Sequence, residues 1–500
     1  MRSCMNCMAH YWGHPLGEAK RHARMRAAAT SFCRPMSRHR FNLYAIGTRH
    51  SKLYRMFEEV SWWCSPDERI IASAGRDLID NDFSWAMLVR DAIGRFRAVK
   101  VDCSYPSLSA AERALWHVMT DTQQTENLIE IGRQGDEPNA PIDLLRLPSD
   151  VNSNKLHPYF RILLEDKARA PARAVIREIG PWLTPQDPHM VEEFQKQAFD
   201  QRLWEIYLWA ACREFGLDVE QLEAPDFRCR APGIDFTVEA TTAAPSTMGA
   251  LAEHPDPKTQ EEIDAFLRDY MPMKYGSALS SKLHRTNNDG LHYWEHEESK
   301  DKSFLLAIAD FHKPADRDSL GSMTYTQSAL WQYLYGQRVN WTFDENGKLV
   351  INPQKIEQHQ YGNKVVLSGF FDDPLAVNVS AILFSNAGTL SKFDRMGIVA
   401  GFEVPGIHYF RIGLKLNHDP NSVMGIPFSV DVTASNYEEY WTDEIQVFHN
   451  PNAIYPLPFE VLIGATHHFL KDGRLRSWGP EGSILSSYSM IFRPPLEDQR

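Results

Sequence analysis

The sequence predicts a mixed α/β fold: a mixed β-sheet flanked by helices, with an N-terminal α/β region and a β-rich C-terminal part. Three observations carry this expectation. The stretch PDFRCRAPGIDFTVEATT (225–242) alternates apolar and polar residues beyond a Pro-Gly turn, the period-2 pattern of a strand. Helical periodicity at 190–215 and 261–285 brackets it, and an apolar strand-length run follows at 303–311, giving the order α-β-β-β-α-β-α. Beyond Arg338 the segments KLVINP, NKVVLSGF, NVSAILFS, HYFRIGLKL and PFSVDVT all fit strands.

Taken in order, the chain opens with eleven Lys/Arg against the single acid Glu18 over residues 1–56. Residues 1–40 read as a basic, solvated extension, and the same composition also fits a nucleic-acid-contacting arm or an organellar transit peptide. Cys4 and Cys7 form one C-x-x-C without a second pair; Cys33 with His10, His14 or His22 completes a zinc site on paper only. Order is expected from Phe41. Residues 41–180 form an N-terminal α/β region, with helical periodicity at 84–96 and 108–120 and strand-like runs at 70–73 and 96–101. The turn-rich GDEPNAP, within 122–147, reads as a linker, and PWLTPQDP (181–188) as a second break. Residues 190–336 form the central α/β core. A long helix over 190–215 stops at Gly216, and strands follow at 217–222, 227–230 and 234–241. A helix at 325–335 closes the core, and residues 337–500 form the β-rich region, either independent or continuous with the core sheet.

Composition bounds the function. The chain is 500 residues long with 43% apolar and 24% charged residues, the balance of a globular protein of two or three domains. It lacks a run of about 18 apolar residues, so no membrane partner is expected. Seven irregularly spaced cysteines indicate a reducing, cytoplasmic setting and exclude a disulfide framework. A net charge of −12 offers no general attraction to phosphates, so contact with nucleic acid requires a local basic patch or a bound cation.

The chemistry concentrates at Asp226 and Glu239. Alternation puts Ile234, Phe236, Val238 and Ala240 on a core face and Asp235, Thr237, Glu239 and Thr241 on the face away from it. The plain reading is a one-sided strand. Against it, Asp226 sits across a short hairpin, and strands about 4.8 Å apart bring two carboxylates to one cation if register allows. Mg²⁺ or Mn²⁺ takes one or two carboxylates plus waters and phosphate oxygens. Glu205, on the apolar helix segment LWEIYLWAA, needs a partner or exposure and is a candidate outer ligand.

This succession, a helix with Glu205, then Pro225-Asp226, a strand with Glu239, a helix and another strand, resembles the PD-(D/E)XK superfamily of restriction-endonuclease-like nucleases over residues 190–336. The resemblance implies phosphodiester hydrolysis of nucleic acid, DNA ahead of RNA, in genome maintenance or defence against foreign DNA. It implies Mg²⁺ or Mn²⁺ held by Asp226 and Glu239, with Glu205 beside them. The motif lysine belongs two residues after the Glu, where this chain has Thr241. Some members carry the lysine on the following helix, where Lys282 is the first candidate and Lys274 the second. The alternative is an inactive nuclease-like domain that binds nucleic acid or protein.

Other constellations have plainer readings. In SNAGTLSKFDRMG (385–397), a strand-turn with a solvated basic end competes with a phosphate-contacting loop through Lys392 and Arg395. His449, His467 and His468 suggest zinc, or a hydrolase using these histidines. However, adjacent residues of a strand point to opposite faces, which favours structural roles. LHYWEHEE (291–298) pairs His292 with His296 but has Tyr293 where a zincin needs Glu.

Overall fold

A computed structural model describes residues 32–125, 127–138, 141–148, 152–311, 328–419 and 421–493. Cys4, Cys7, His10, His14 and His22 lie outside the described residues. The chain divides into two compact units, Met1–Pro141 and Ile142–Arg500. The division falls inside the expected linker at 122–147, so residues 142–180 belong with the second unit rather than with the N-terminal region.

In the first unit, β1 (Arg34–Pro35), α1 (Arg38–Tyr44), α2 (Ser51–Tyr54), β2 (Phe57–Cys64), β3 (Ile70–Asp77), β4 (Phe83–Arg90), β5 (Phe96–Tyr105), α3 (Leu108–Gln123) and α4 (Leu128–Gly132) follow in order. The strands make an antiparallel sheet in chain order. Order therefore starts before Phe41, because Arg34 and Pro35 pair with Cys64 and Trp63. Ser107 caps α3 by accepting from the Ala110 N–H. Ala111, Leu115 and Met119, four residues apart, carry its buried stripe onto Trp63 and Trp85. The helix expected over 84–96 is instead strand β4 and its turn. Trp85, Leu88 and Val89 mimic a helical period, but β4 is hydrogen-bonded on both sides and its apolar residues pack from both faces, so pairing overrides spacing.

The second unit begins with α5 (Pro158–Glu165), α6 (Ala170–Ile179), α7 (Met190–Lys196) and α8 (Phe199–Glu214), then β6 (Asp218–Gln221), β7 (Phe227–Ala231) and β8 (Ile234–Ala243). The single helix expected over 190–215 is thus two, broken at Gln197 and Ala198. α9 (Gln260–Ala265) runs through one π-helical turn into α10 (Met271–Leu283), followed by β9 (Ser303–Asp310) and α11 (Ser328–Tyr335). Two hairpins follow, β10 (Gln337–Phe343) with β11 (Leu349–Lys355) and β12 (Gln358–Tyr361) with β13 (Lys364–Leu367). The rest comprises β14 (Ala381–Ser385), α12 (Leu390–Val399), β15 (His408–Lys415), β16 (Ile426–Asp431), β17 (Gln446–His449), β18 (Thr466–Lys471), β19 (Arg474–Trp478) and β20 (Ile484–Phe492).

One mixed eight-stranded sheet, in the order β19-β18-β17-β14-β9-β8-β7-β6, organises this unit. The central strands β8, β9 and β14 are parallel, while β7 joins β8 antiparallel. Residues 337–500 supply β14, β17, β18 and β19, and so complete the core sheet instead of forming a separate domain. On one face, Phe304, Leu306 and Ile308 of β9 pack with Tyr275 and Leu279 of α10. On the other lies α8, whose Tyr207 Oη is 3.2 Å from Ser385 Oγ.

Register decides where β8 puts its polar side chains. Glu239 stands beside Leu306 and Thr241 beside Ile308, on the face that α10 covers. Thr237, Glu239 and Thr241 are therefore buried, not turned to solvent as alternation implied; only Asp235 of that set stays half-exposed. Alternation identifies the face but not the helix that covers it.

The tract 385–397 also departs from expectation. After the strand, Thr389 begins α12, whose Lys392 and Arg395 are buried. Lys392 Nζ lies 2.8 Å from Glu439 Oε1 and 3.1 Å from Glu444 Oε2, Arg395 Nε is 2.9 Å from Glu439 Oε2, and Arg411 pairs with Glu444. Against the cost of burial, Arg395, Arg411 and Lys392 hold Glu439 well below the usual carboxylate range. These cations tie α12 and β15 to the connection between β16 and β17 and are not a solvated basic end.

Candidate metal centre

The site is built where β7 and β8 meet α8 and α10. Asp226 directly precedes β7, after the cis Ala224–Pro225 bond, and its Oδ2 accepts from the Ala240 N–H at 2.7 Å. That bond ties it to the residue after Glu239. Leu222 N–H donates to the Asp226 carbonyl at 2.9 Å, closing the turn that presents the carboxylate. Glu239 comes from the middle of β8 and is 4% exposed. From the last turn of α10, Lys282 reaches it: Nζ lies 2.5 Å from Glu239 Oε1. Thr241, two residues beyond Glu239, supplies no cation, and the amine arrives from the helix that packs over that same face.

Glu205 enters from α8, also 4% exposed, and Arg202 one turn earlier holds its Oε2 at 2.8 Å. Arg202 simultaneously binds Glu193, 2.9 Å from its Nε, and Asp187. The electrostatics show that these acids crowd one another. Burial raises the Asp226 carboxyl well above its ordinary range, and the charges of Glu239 and then Glu205 push it the same way; Ala240 N–H and Lys282 oppose them. Burial likewise raises Glu205, with Arg202 opposing and Glu239 adding to the rise. Asp226, Glu239, Glu205 and Lys282 are thus brought together.

Lys274 is not part of this group. It lies two turns back along α10, where Nζ donates to Ala244 O at 2.5 Å and Ser246 Oγ at 2.7 Å. Burial lowers its amine to about 8. A lysine spaced eight residues from Lys282 reaches a different end of β8.

Two contributors were not singled out by sequence. Arg202, three residues before Glu205, carries the ordinary i, i+3 ion-pair spacing as its signal. Tyr293 sits on a short 3-10 turn, 6% exposed, with its ring centroid 5.8 Å from Lys282 Nζ. From the same segment, His296 Nδ1 lies 3.0 Å from Ala224 O, and Ser299 Oγ lies 2.8 Å from Thr237 Oγ1. His292 and His296 are therefore no metal pair: the Glu295 carboxylate caps the turn by accepting from His292 N–H at 2.7 Å.

The donor set fits a hard divalent cation. The buried Glu239 and the half-buried Asp226 repel one another, and carboxylate oxygens of this kind suit Mg²⁺ or Mn²⁺. Glu205, already engaged by Arg202, fits an outer position. Among the described residues, the three acids whose ligand atoms lie within 4.8 Å of one another are Asp77, Asp80 and Asp82, in the turn between β3 and β4. The C-terminal histidines bind each other and the backbone. His449 Nε2 is 2.9 Å from His467 Nδ1, and His467 Nε2 is 3.0 Å from Leu462 O. His468 turns the other way, to Ser477 and Gln446.

No protein-family model, curated protein or solved structure matches the chain. Among the described residues, no helix is long and apolar enough to cross a membrane.

Proposed function

We propose that this protein is a metal-dependent nuclease hydrolysing phosphodiester bonds of nucleic acid, DNA ahead of RNA. In this reading Asp226 and Glu239 are the Mg²⁺ or Mn²⁺ ligands, and Lys282 takes the place of the motif lysine. The observation that supports it most is the amine of Lys282, 2.5 Å from Glu239 although Thr241 holds the expected position. A bound divalent ion polarises a phosphoryl oxygen and lowers the pKa of water. The protein's own groups do the rest. Asp226, tied to Ala240, and Glu239, on the rigid centre of β8, fix the negative face of the site. Lys282 stabilises negative charge as it develops on the phosphate. The cation between carboxylates and phosphate also lets an acidic chain meet a polyanion.

One observation favours a second reading, an inactive nuclease-like binding module: the ammonium of Lys282 is already neutralised by Glu239. Calorimetric titration of Mn²⁺ into the wild type, Asp226→Ala and Glu239→Ala, with cleavage of supercoiled plasmid under the same conditions, separates the two. The nuclease reading expects saturable binding and cleavage, both lost in each variant. Mn²⁺ binding without cleavage supports the binding module. Neither binding nor cleavage by the wild type overturns the proposed site.

A further inference from the structure

A lysine on a neighbouring strand position is held by the pleat; one delivered from a helix ends four rotatable bonds away from its backbone and needs another restraint. Lys282 has two such contacts, the Glu239 carboxylate and the face of Tyr293. The ring of Tyr293 is fixed from below, stacked on Phe304 of β9 with centroids 6.0 Å apart and planes 20° from parallel. Phe304 lies one register step from the β8 acid, since Thr237 pairs with Phe304 and Glu239 with Leu306. Acid, amine and ring thus follow one another in contact.

We infer that Tyr293 is the positioning residue for the displaced lysine, its ring holding the Lys282 ammonium over the β8 acid. The inference rests on the nuclease reading only for its consequence in catalysis; the positioning itself is a property of the folded chain. The segment that carries Tyr293 is anchored at both ends of the site, through His296 to the carbonyl before Pro225 and through Ser299 to Thr237. It therefore braces the turn that presents Asp226 against β8, as well as the pose of the amine. A ring face attracts an ammonium, an attraction that Tyr293→Phe keeps and Tyr293→Leu removes.

The test uses the full-length protein as Tyr293→Phe and Tyr293→Leu, with folding checked by thermal melting. The first readout is the rate at which Lys282 is acylated by an amine-reactive ester, by peptide mapping relative to exposed Lys300 in the same molecule. Tyr293→Leu is expected to raise the relative rate at least three-fold, and Tyr293→Phe, which keeps the ring, by less than two-fold. On supercoiled plasmid, Tyr293→Leu is expected to lower kcat more than KM, and Tyr293→Phe to leave both near the wild-type values. A folded Tyr293→Leu variant with wild-type acylation of Lys282 overturns the inference. If the wild type neither binds Mn²⁺ nor cuts plasmid, the nuclease reading fails, while acylation still decides whether Tyr293 positions the lysine.

Discussion

Replacing Lys282 by Met removes the ammonium and keeps the stem that packs on Tyr293. The 2.5 Å pair with Glu239 has a gross attraction of about 7 kcal/mol at an effective dielectric constant of about 20. Desolvation of both partners offsets most of that in the intact protein, but the variant leaves Glu239 buried without its cation. Removing one member of a buried pair costs about 3–5 kcal/mol. The Lys282 side chain is 17% exposed and that of Glu239 6%, so water reaches the pair and the expected loss shrinks to about 2–3 kcal/mol. Urea unfolding followed by tryptophan fluorescence measures it directly. Mn²⁺ at a hundred times its dissociation constant should add about 2.7 kcal/mol, because it binds the folded chain alone. A variant as stable as the wild type without Mn²⁺ would refute the reasoning, since Glu239 would then not need a cation.

Two further outcomes are expected. Burial holds His468 unprotonated, lowering its ring to about 3, and Ser477 and Gln446 satisfy both ring nitrogens. Because the unfolded chain gains that proton near pH 6.5 and the folded one does not, this histidine stabilises above pH 6.5. That contribution declines as pH falls towards 3, by up to about 1.4 kcal/mol per pH unit. In His468→Gln the acid limb of unfolding free energy against pH should be shallower by that slope; an unchanged slope would locate the effect elsewhere. Lys392→Met, which takes away one of the three cations around Glu439 and Glu444 and leaves Arg395 and Arg411, should lose about 1–3 kcal/mol. Thermal melting at pH 7 would show a loss far larger than that from replacing an exposed lysine such as Lys300.

The site was legible where local pattern and register agree. Asp226 before a strand and Glu239 in the next one meet because a short hairpin leaves the chain little choice. Lys282 was nameable because the helix that follows must cross back over β8 to reach β9. The burial of Thr237 and Glu239 was not legible, since period 2 distinguishes two faces without saying that a helix covers the polar one. Nor was Tyr293, whose signal is its packing on Phe304, a contact between two elements. The same blindness misread β4, where neighbours on both sides outweigh a spacing that imitates a helix. It also misread Lys392 and Arg395, whose acidic partners lie more than forty residues downstream. What sequence reading missed is, in each case, a partner supplied by another element.

The order of strands in the sheet has a consequence for how this chain is made. During synthesis β6, β7, β8 and β9 emerge together, but the neighbour that β9 requires, β14, is not translated until some seventy residues later. Until then the most apolar strand of the sheet has an unpaired edge, the kind of surface that seeks strands from other chains. Folding is governed by long-range parallel pairing and should be slow for that reason. A fragment ending near residue 336 would retain every candidate site residue and still be prone to aggregate, so the chemistry and its foldable unit have different boundaries.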